Sequence, residues 1–504
     1  MLRLLTYGCA IALVCVATGV EGGGGFGDRP VAVDESTAPT PPLNPNLEAT
    51  PPADAGDTAA EPEASAGLSA ATVEAAPLDI HAFEKLLPTL EAARNESVTR
   101  GRDLFEVSWL PGPSPGEKDG LGPLLNARAC NECHLRAGRG RARGPQWGGL
   151  PGLVLRIGVR SPLGEDGAHR ADRPHPRYGR QIQDRSLAGV RREAGVSVRW
   201  SDHRVVFPDG TERTLKRPSF TPAGSAYGTF EATGEDSAPF EVTSGARLAP
   251  ALVGLGLLEA IPDAAIIASA DPDDRDGDGV SGRVAFLNGG TDGPVGRFGW
   301  KATHITLESQ IAEAFAEDVG ITSDLYPAES FPAAQHRVLA MASGGTPELS
   351  EEELNDTANF IRALAVPLPP TPQTQRGRTL FETVGCAKCH TPQWRTAHDH
   401  PWPELRNLEI QPYTDLLLHD LGPDLADGKR DGVAQPNEWR TPPLWGLGRH
   451  PVINGNTHLL HDGRARTIEE AILWHGGEAA NSRTAYMALK KEERAALMEF
   501  LEGL

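Results

Sequence analysis

Cysteine is scarce in this chain, with six residues in 504. Cys9 and Cys15 fall in an apolar N-terminal stretch, so four thiols remain downstream and a disulfide framework is excluded. Methionine is scarcer still, at four (Met1, Met341, Met487 and Met498). Positive charge is also in deficit: 48 Lys and Arg against 68 Asp and Glu leave a formal charge of −20. A phosphate backbone would be repelled by that surface, so nucleic acid is excluded as a partner. A small basic or neutral electron-donor protein or redox mediator is not.

The four downstream thiols come in two C-x-x-C-H segments, Cys130-Asn131-Glu132-Cys133-His134 and Cys386-Ala387-Lys388-Cys389-His390. Two thiols at this spacing each add across a haem vinyl group, and the next residue sets an imidazole under the iron. A structural zinc site needs four ligands brought together, and a redox dithiol has no obligatory His after its second Cys. The pattern therefore predicts two covalently bound haems c.

Met1–Gly19 reads as an export signal: Arg3, the apolar run Ala10–Val16, and the small residues Ala17-Thr18-Gly19. The run is too short to span a bilayer. An exported, periplasmic protein is expected, which agrees with where C-x-x-C-H segments receive haem. Membrane attachment is expected only if Cys15 is lipidated, and the bulky Val14 before it argues against that.

Residues 20–77 are rich in Gly, Pro, Ala and Thr and poor in aromatics, the composition of a disordered tether. Apolar spacing from Ile80 to Ala93 predicts a helix. The heptapeptide Arg100-Gly101-Arg102-Asp103-Leu104-Phe105-Glu106 is repeated as Arg376-Gly377-Arg378-Thr379-Leu380-Phe381-Glu382, each copy leading into a C-x-x-C-H segment. A stiff run, Pro367 to Pro372, marks a boundary. The expected fold is mainly α: two tandem cytochrome c-like domains, 78–366 and 367–504. The first carries a β-containing insertion over about 148–262, with strands around Val196–Trp200, Val205–Phe207 and Thr211–Leu215 turned by Pro208-Asp209-Gly210. Helices are predicted over Leu248–Ala260 and Leu307–Val319, after the capping boxes at Ser350 and Thr467, and over Lys491–Leu501.

An iron's sixth position separates an electron carrier, where a strong ligand fills it, from a catalyst, where it is open. With so few methionines, histidine is the expected ligand. His475, beside Gly476-Gly477, leads for the second haem and His461 follows; His169 and His175 are the weak candidates for the first, which is expected to be open. Asp274, Asp276, Asp278 and Gly279 match the opening of a calcium loop, with Gly277 in place beside Asp278, although position 12 is Ala285 rather than Glu.

In order, Asp119–Pro123, Cys130–His134, Tyr178-Gly179-x-Gln181, Phe298–Lys301, Cys386–His390, Glu438–Leu444 and His461–Arg464 resemble the di-haem oxidoreductase family of peroxidase-like, "thiol oxidoreductase" proteins. The likeness covers roughly 80–504. It extends more distantly to bacterial di-haem cytochrome c peroxidases and to the di-haem enzyme that matures the tryptophan tryptophylquinone of methylamine dehydrogenase. The resemblance implies a Trp between the haems, Trp300, and a peroxide-pocket Gln ten residues on, Gln310, with Asp318 or Glu317 as the acid. It also implies a sixth ligand fourteen residues after the His of an H-D-G segment, which from His461 is His475. Departures are the ligand type (Met or Tyr in the peroxidases), an acid nearer the Gln, and the β-rich insertion. The readings that follow are a peroxidase-like enzyme using peroxide or another oxidant, a pure electron-transfer cytochrome, and a haem enzyme that oxidatively modifies a partner protein.

Overall fold

Apolar residues at helical spacing, closed by capping side chains, give the helices that frame the sites. They are α1 (Asn95–Glu106), α2 (Leu307–Ala314), α3 (Glu351–Arg362), α4 (Gln375–Thr383), α5 (Ile468–Trp474) and α6 (Lys491–Glu502). Thr306, Ser350, Thr374 and Thr467 each accept a backbone N–H of the first turn, at α2, α3, α4 and α5. The computed structural model describes residues 70–504 apart from 115–117, 142–151, 163–169, 234–238, 331, 333–334, 336–343 and 370–372. The export signal, Cys15, most of the tether and His169 lie outside the described residues.

The repeated heptapeptide has one structural job in both places. Gly101 of α1 lies against α3, where an added Cβ would stand 1.9 Å from the Asp356 carbonyl oxygen. Gly377 of α4 lies against α6, where a Cβ would stand 2.3 Å from Phe500 Cβ and 2.6 Å from the Ala496 oxygen. Each glycine lets two helix backbones touch. The Phe that follows, Phe105 or Phe381, is buried and faces the cavity beside its own C-x-x-C-H segment.

Of the described residues, 30% are helix and 20% strand, which corrects the mainly-α expectation. The strands form only two-stranded pairs among the described residues. In the insertion, β1 (Leu153–Val159) pairs antiparallel with β4 (Val242–Leu248), and β2 (Gly195–Val206) with β3 (Glu212–Ala223). The β2–β3 ribbon extends the expected strands, and its turn end reaches the second core: Phe207 and Leu215 are buried among Tyr486, Leu497 and Phe500. Arg494 donates to Asp209 to hold the turn there.

With 56 glycines and 43 prolines, long regular runs are interrupted. The helix expected over Ile80–Ala93 is reduced to two single turns, Ala82–Glu84 and Ala92–Arg94, because Pro88 bars its middle. Leu248 ends a strand instead of starting a helix, and Leu255–Glu259 becomes helical only after Gly254 turns the backbone at φ 72°. Buried cations take over the role of regular pairing. Arg297 donates to the carbonyls of Leu258, Glu259 and Ile261, Lys301 to those of Gln435, Pro436 and Glu438, and Arg449 to those of Ala75, Ala76 and Leu368. Strand pairing of Thr72–Val73 with Val366–Pro367 begins ahead of Leu78.

Gly377→Ala should lower the stability of the haem-loaded protein by about 1–3 kcal/mol in chemical denaturation. Helix propensity alone would favour Ala by about 1 kcal/mol, so a loss identifies the backbone contact with α6.

Candidate di-haem site

Each C-x-x-C-H segment is a single tight turn that ends on its histidine: Cys130–Cys133 before His134, and Cys386–Lys388 before Cys389 and His390. His134 Nδ1–H donates to the Pro250 carbonyl at 2.8 Å, and His390 Nδ1–H to the Tyr413 carbonyl at 2.9 Å. The bond fixes the tautomer, and in both rings Nε2 is left with its lone pair. Burial holds both imidazoles neutral, with pKa values lowered to about 4. Neutral, oriented imidazole is the form that ligates iron.

His475 repeats the arrangement. Its Nδ1–H donates to the Ala471 carbonyl at 2.7 Å, burial pushes its pKa down, and it lines the same cavity as His390. His461 lines that cavity too, but its ring lies flat on Trp439, with centroids 3.8 Å apart and planes at 10°. Asp462 does not set its tautomer, since the carboxylate is spent on the Arg464 backbone and guanidinium. His419, at the same cavity, is clasped from both sides: Nε2 to Asp415 at 2.8 Å and Nδ1 to Glu478 at 2.7 Å. Cys389 Sγ lies 3.6 Å from this ring, but that sulfur belongs to the haem segment.

The cavity chemistry fits haem. Arg139 and Arg440 are buried in the second cavity with no carboxylate ion pair among the described residues; they donate only to carbonyls. Burial lowers both to about 10. An unpaired buried guanidinium is costly, and the carboxylates of a porphyrin are the class of group that would offset it. The rest of the wall is largely apolar, including Phe381, Leu425, Leu444, Leu459 and Ile472.

The first cavity is different in kind. It is lined by Cys130, Cys133 and His134 on one side and by Gln310, Glu313, Asp318, His304 and Arg156 elsewhere. Arg156 Nη1 donates to Glu313 at 3.1 Å, and His304 Nε2 stands 2.8 Å from the other oxygen of that carboxylate. These two partners hold Glu313 ionised well below the usual carboxylate range against its burial. Gln310 carries a buried Oε1 with no hydrogen-bond partner among the described residues. At the end of α2 the helix widens into a π-turn, Phe315–Val319, which turns Asp318 into the cavity wall while Glu317 lies buried behind it. Burial raises both acids, Glu317 to about 7.

Trp300 is the residue common to the linings of both cavities. Its indole N–H donates to the Leu248 carbonyl at 2.7 Å, and the Arg139 guanidinium lies 5.4 Å from its ring centre. Trp300, Gln310 and Asp318 therefore converge on the first cavity and Glu317 does not. His175 is engaged elsewhere, accepting from the Arg177 and Tyr178 backbone at Nδ1 and donating to the Phe230 carbonyl from Nε2. Sequence reading missed Arg156, His304 and Glu313. Glu313 had a signal, since it follows Gln310 by three residues on one helix face; Arg156, in the insertion, and His304, in a loop, had none.

The acidic loop lies against the second haem segment. Carboxylate oxygens of Asp274, Asp276 and Asp278 fall within 4.8 Å of one another, and Lys388 Nζ stands 2.9 Å from Asp278.

Asp415 and Glu478 raise the pKa of His419 well above 6.5 despite its burial. A raised folded value means that this stabilisation is complete below pH 6.5 and is lost as pH climbs through the folded pKa. The thermal stability lost in His419→Gln should therefore be largest near pH 6 and shrink steadily toward alkaline pH, as read by melting the haem-loaded protein.

Comparison with known proteins agrees with this chemistry. A family model described as "Di-haem oxidoreductase, putative peroxidase" matches residues 60–504, nearly the whole chain. No curated protein matches. Among solved structures, Kuenenia stuttgartiensis hydrazine synthase is similar at 14% identity, over 92% of this chain and 100% of that one. Its TM-score of 0.33 is too low to bear on fold or function. With a C-x-x-C-H segment in the wall of each of two cavities and a family match over almost its full length, the chain belongs to the di-haem oxidoreductase family.

Proposed function

We propose that the protein is a peroxidase-like enzyme with two covalent haems c, in which electrons from a small donor protein pass from the second site across Trp300 to the first, where peroxide is reduced. The observation that carries this reading is the asymmetry of the two cavities around a shared tryptophan. The second cavity offers two imidazoles, His390 and His475, each with Nδ1 bonded to a carbonyl and Nε2 free. The first offers His134 in that form and, elsewhere on its wall, a set of acids, an amide and a guanidinium.

Haem bound at His134 would supply the electrons and the Lewis acidity for breaking an O–O bond. The chain's own residues do the rest. Asp318, whose carboxyl burial pushes up, donates a proton to the leaving oxygen, and the Gln310 amide orients the peroxide. Arg156 and His304 fix Glu313, so that the carboxylate is held as an ion pair on that side of the cavity. The half-buried indole of Trp300, shared by the two cavity walls, gives electrons a path between them. Cys130, Cys133, Cys386 and Cys389 would form the thioethers, and Asp274, Asp276 and Asp278 would hold calcium against Lys388. The leader and the haem segments together support an exported, periplasmic protein.

Absorption and electron paramagnetic resonance spectra of the oxidised protein should show one low-spin and one high-spin haem. His475→Ala should remove the low-spin signal, and Trp300→Phe should keep both signals but slow peroxide turnover by about tenfold or more. Two low-spin haems without peroxide turnover would instead mean an electron-transfer cytochrome. Peroxide turnover that depends on cross-linking or oxidising a second protein would mean a partner-modifying enzyme. Replacing either cysteine pair by Ser should halve the porphyrin that stays bound after denaturation.

A further inference from the structure

Behind Asp318, on the side away from the first cavity, lies a buried polar cluster that the proposed chemistry leaves unused. It comprises Asn126, Gln181, Gln183, Glu193, Glu317 and Gln335, each at most 8% exposed. The side-chain amides of Asn126, Gln181 and Gln335 have both N–H groups committed, and Gln183 commits one. Gln181 Nε2 donates to Asp318 at 2.6 Å and to Asn126 at 2.8 Å, and Gln183 Nε2 to the Glu317 carbonyl at 2.7 Å. Gln335 Nε2 donates to Glu193 at 2.5 Å and to the Arg177 carbonyl at 3.0 Å, while the Gln183 backbone N–H takes the other Glu193 oxygen at 2.7 Å.

Four acceptors are then left over. Oε1 of Gln181, Gln183 and Gln335 and Oε2 of Glu317 are buried with no hydrogen-bond partner among the described residues. Flipping Gln181 or Gln335 does not help, because each would lose a bond to a carboxylate. A buried acceptor without a donor costs about 1–3 kcal/mol, so four in one cluster call for protons that no side-chain nitrogen provides. Only O–H groups can provide them: protonated carboxyls and water held between them. The cluster contains two carboxyls and touches a third that opens on the cavity.

We propose that Glu193 and Glu317, with water held among the glutamines, form a proton relay that reloads Asp318 and so feeds the first cavity. The proposal rests on the peroxidase-like reading, in which each peroxide consumes two protons and two electrons, the electrons coming from the donor protein. In each step one O–H bond breaks and one forms. Asp318 gives its proton to the leaving oxygen, Glu317 reprotonates Asp318, Glu193 reprotonates Glu317, and solvent, through the water held in the cluster, reprotonates Glu193. Glu317 and Asp318 are consecutive residues of the π-turn, which aims one at the cluster and the other at the cavity. Glu317 faces Arg156, Arg180, Glu313, Asp318 and Glu193, and Tyr326 lies within its field. Glu193 faces Glu317, Tyr178 and Tyr227. Burial is the largest influence on both, raising Glu193 to about 8 and Glu317 to about 7, so both exchange protons near neutrality.

The test uses the haem-loaded protein with Glu317→Gln and Glu193→Gln, which keep side-chain shape but carry no transferable proton; Glu193→Gln also gives up one of the two N–H bonds that the Glu193 carboxylate accepts. In Glu317→Gln the kcat for peroxide should fall by about tenfold or more with KM unchanged, and millimolar formic acid should restore it, which it would not do for a structural defect. Glu193→Gln should show the same pattern more weakly, and it serves alone if Glu317→Gln loses haem. Independently of turnover, the midpoint potential of the first haem should fall as pH rises between about 7 and 8 in the native protein and flatten in the variants. Unchanged kcat together with an unchanged potential–pH curve in both variants overturns the relay. A native protein that does not consume peroxide, but whose potential loses its pH dependence in Glu317→Gln, overturns the peroxidase reading and leaves the relay standing.

Discussion

Everything in this molecule depends on holding three imidazoles in one tautomer. The device is the same each time: a backbone carbonyl takes Nδ1–H, from Pro250, Tyr413 or Ala471, and Nε2 is left free. Ala471 belongs to a helix and needs no special support. Pro250 and Tyr413 sit in irregular chain, and Tyr413 is held at φ 52°, where a non-glycine residue is strained. Its ring is locked edge-on between Phe381 and Phe500, so core packing maintains the backbone conformation that aims its carbonyl.

That requirement explains why so much of the interior is loop. A helix or strand consumes its own carbonyls, whereas a loop can point them at histidines and cations. Buried Arg297, Lys301 and Arg449 collect the carbonyls that remain, and Arg139 and Arg440 keep part of their guanidinium hydrogen-bonding capacity facing the second cavity. The same loops bring Trp300 into the wall of both cavities. The insertion contributes rather than merely decorating: β1 supplies Arg156 to the first cavity, and the β2–β3 ribbon plants Phe207 in the second core.

The two cavities share a plan and differ in polarity. Each has a C-x-x-C-H turn, a Phe from the repeated heptapeptide and a histidine bonded to a carbonyl. The second adds His475 and an apolar wall, and the first adds the π-turn acid Asp318 with Glu313 and its two partners. Burial disfavours the charged form in both, holding His134, His390 and His475 down and pushing the Asp318 carboxyl of the first cavity up.

The sequence by itself determined what is local. Two C-x-x-C-H segments, the repeated Gly and Phe, the caps at Ser350 and Thr467, and the Pro-Asp-Gly turn are all set by near neighbours, and each is found where its residues put it. Trp300 and Gln310 entered through the family resemblance and His475 through its place beside two glycines, and all three line the cavities. What the tertiary structure decided is long-range. Which of two consecutive acids faces the cavity depends on a π-turn that no periodicity announces. The mainly-α expectation failed because buried cations replaced regular pairing across distances no window spans. The partnership of Arg156, His304 and Glu313 joins a strand, a loop and a helix, and only folding brings such groups within reach of one another.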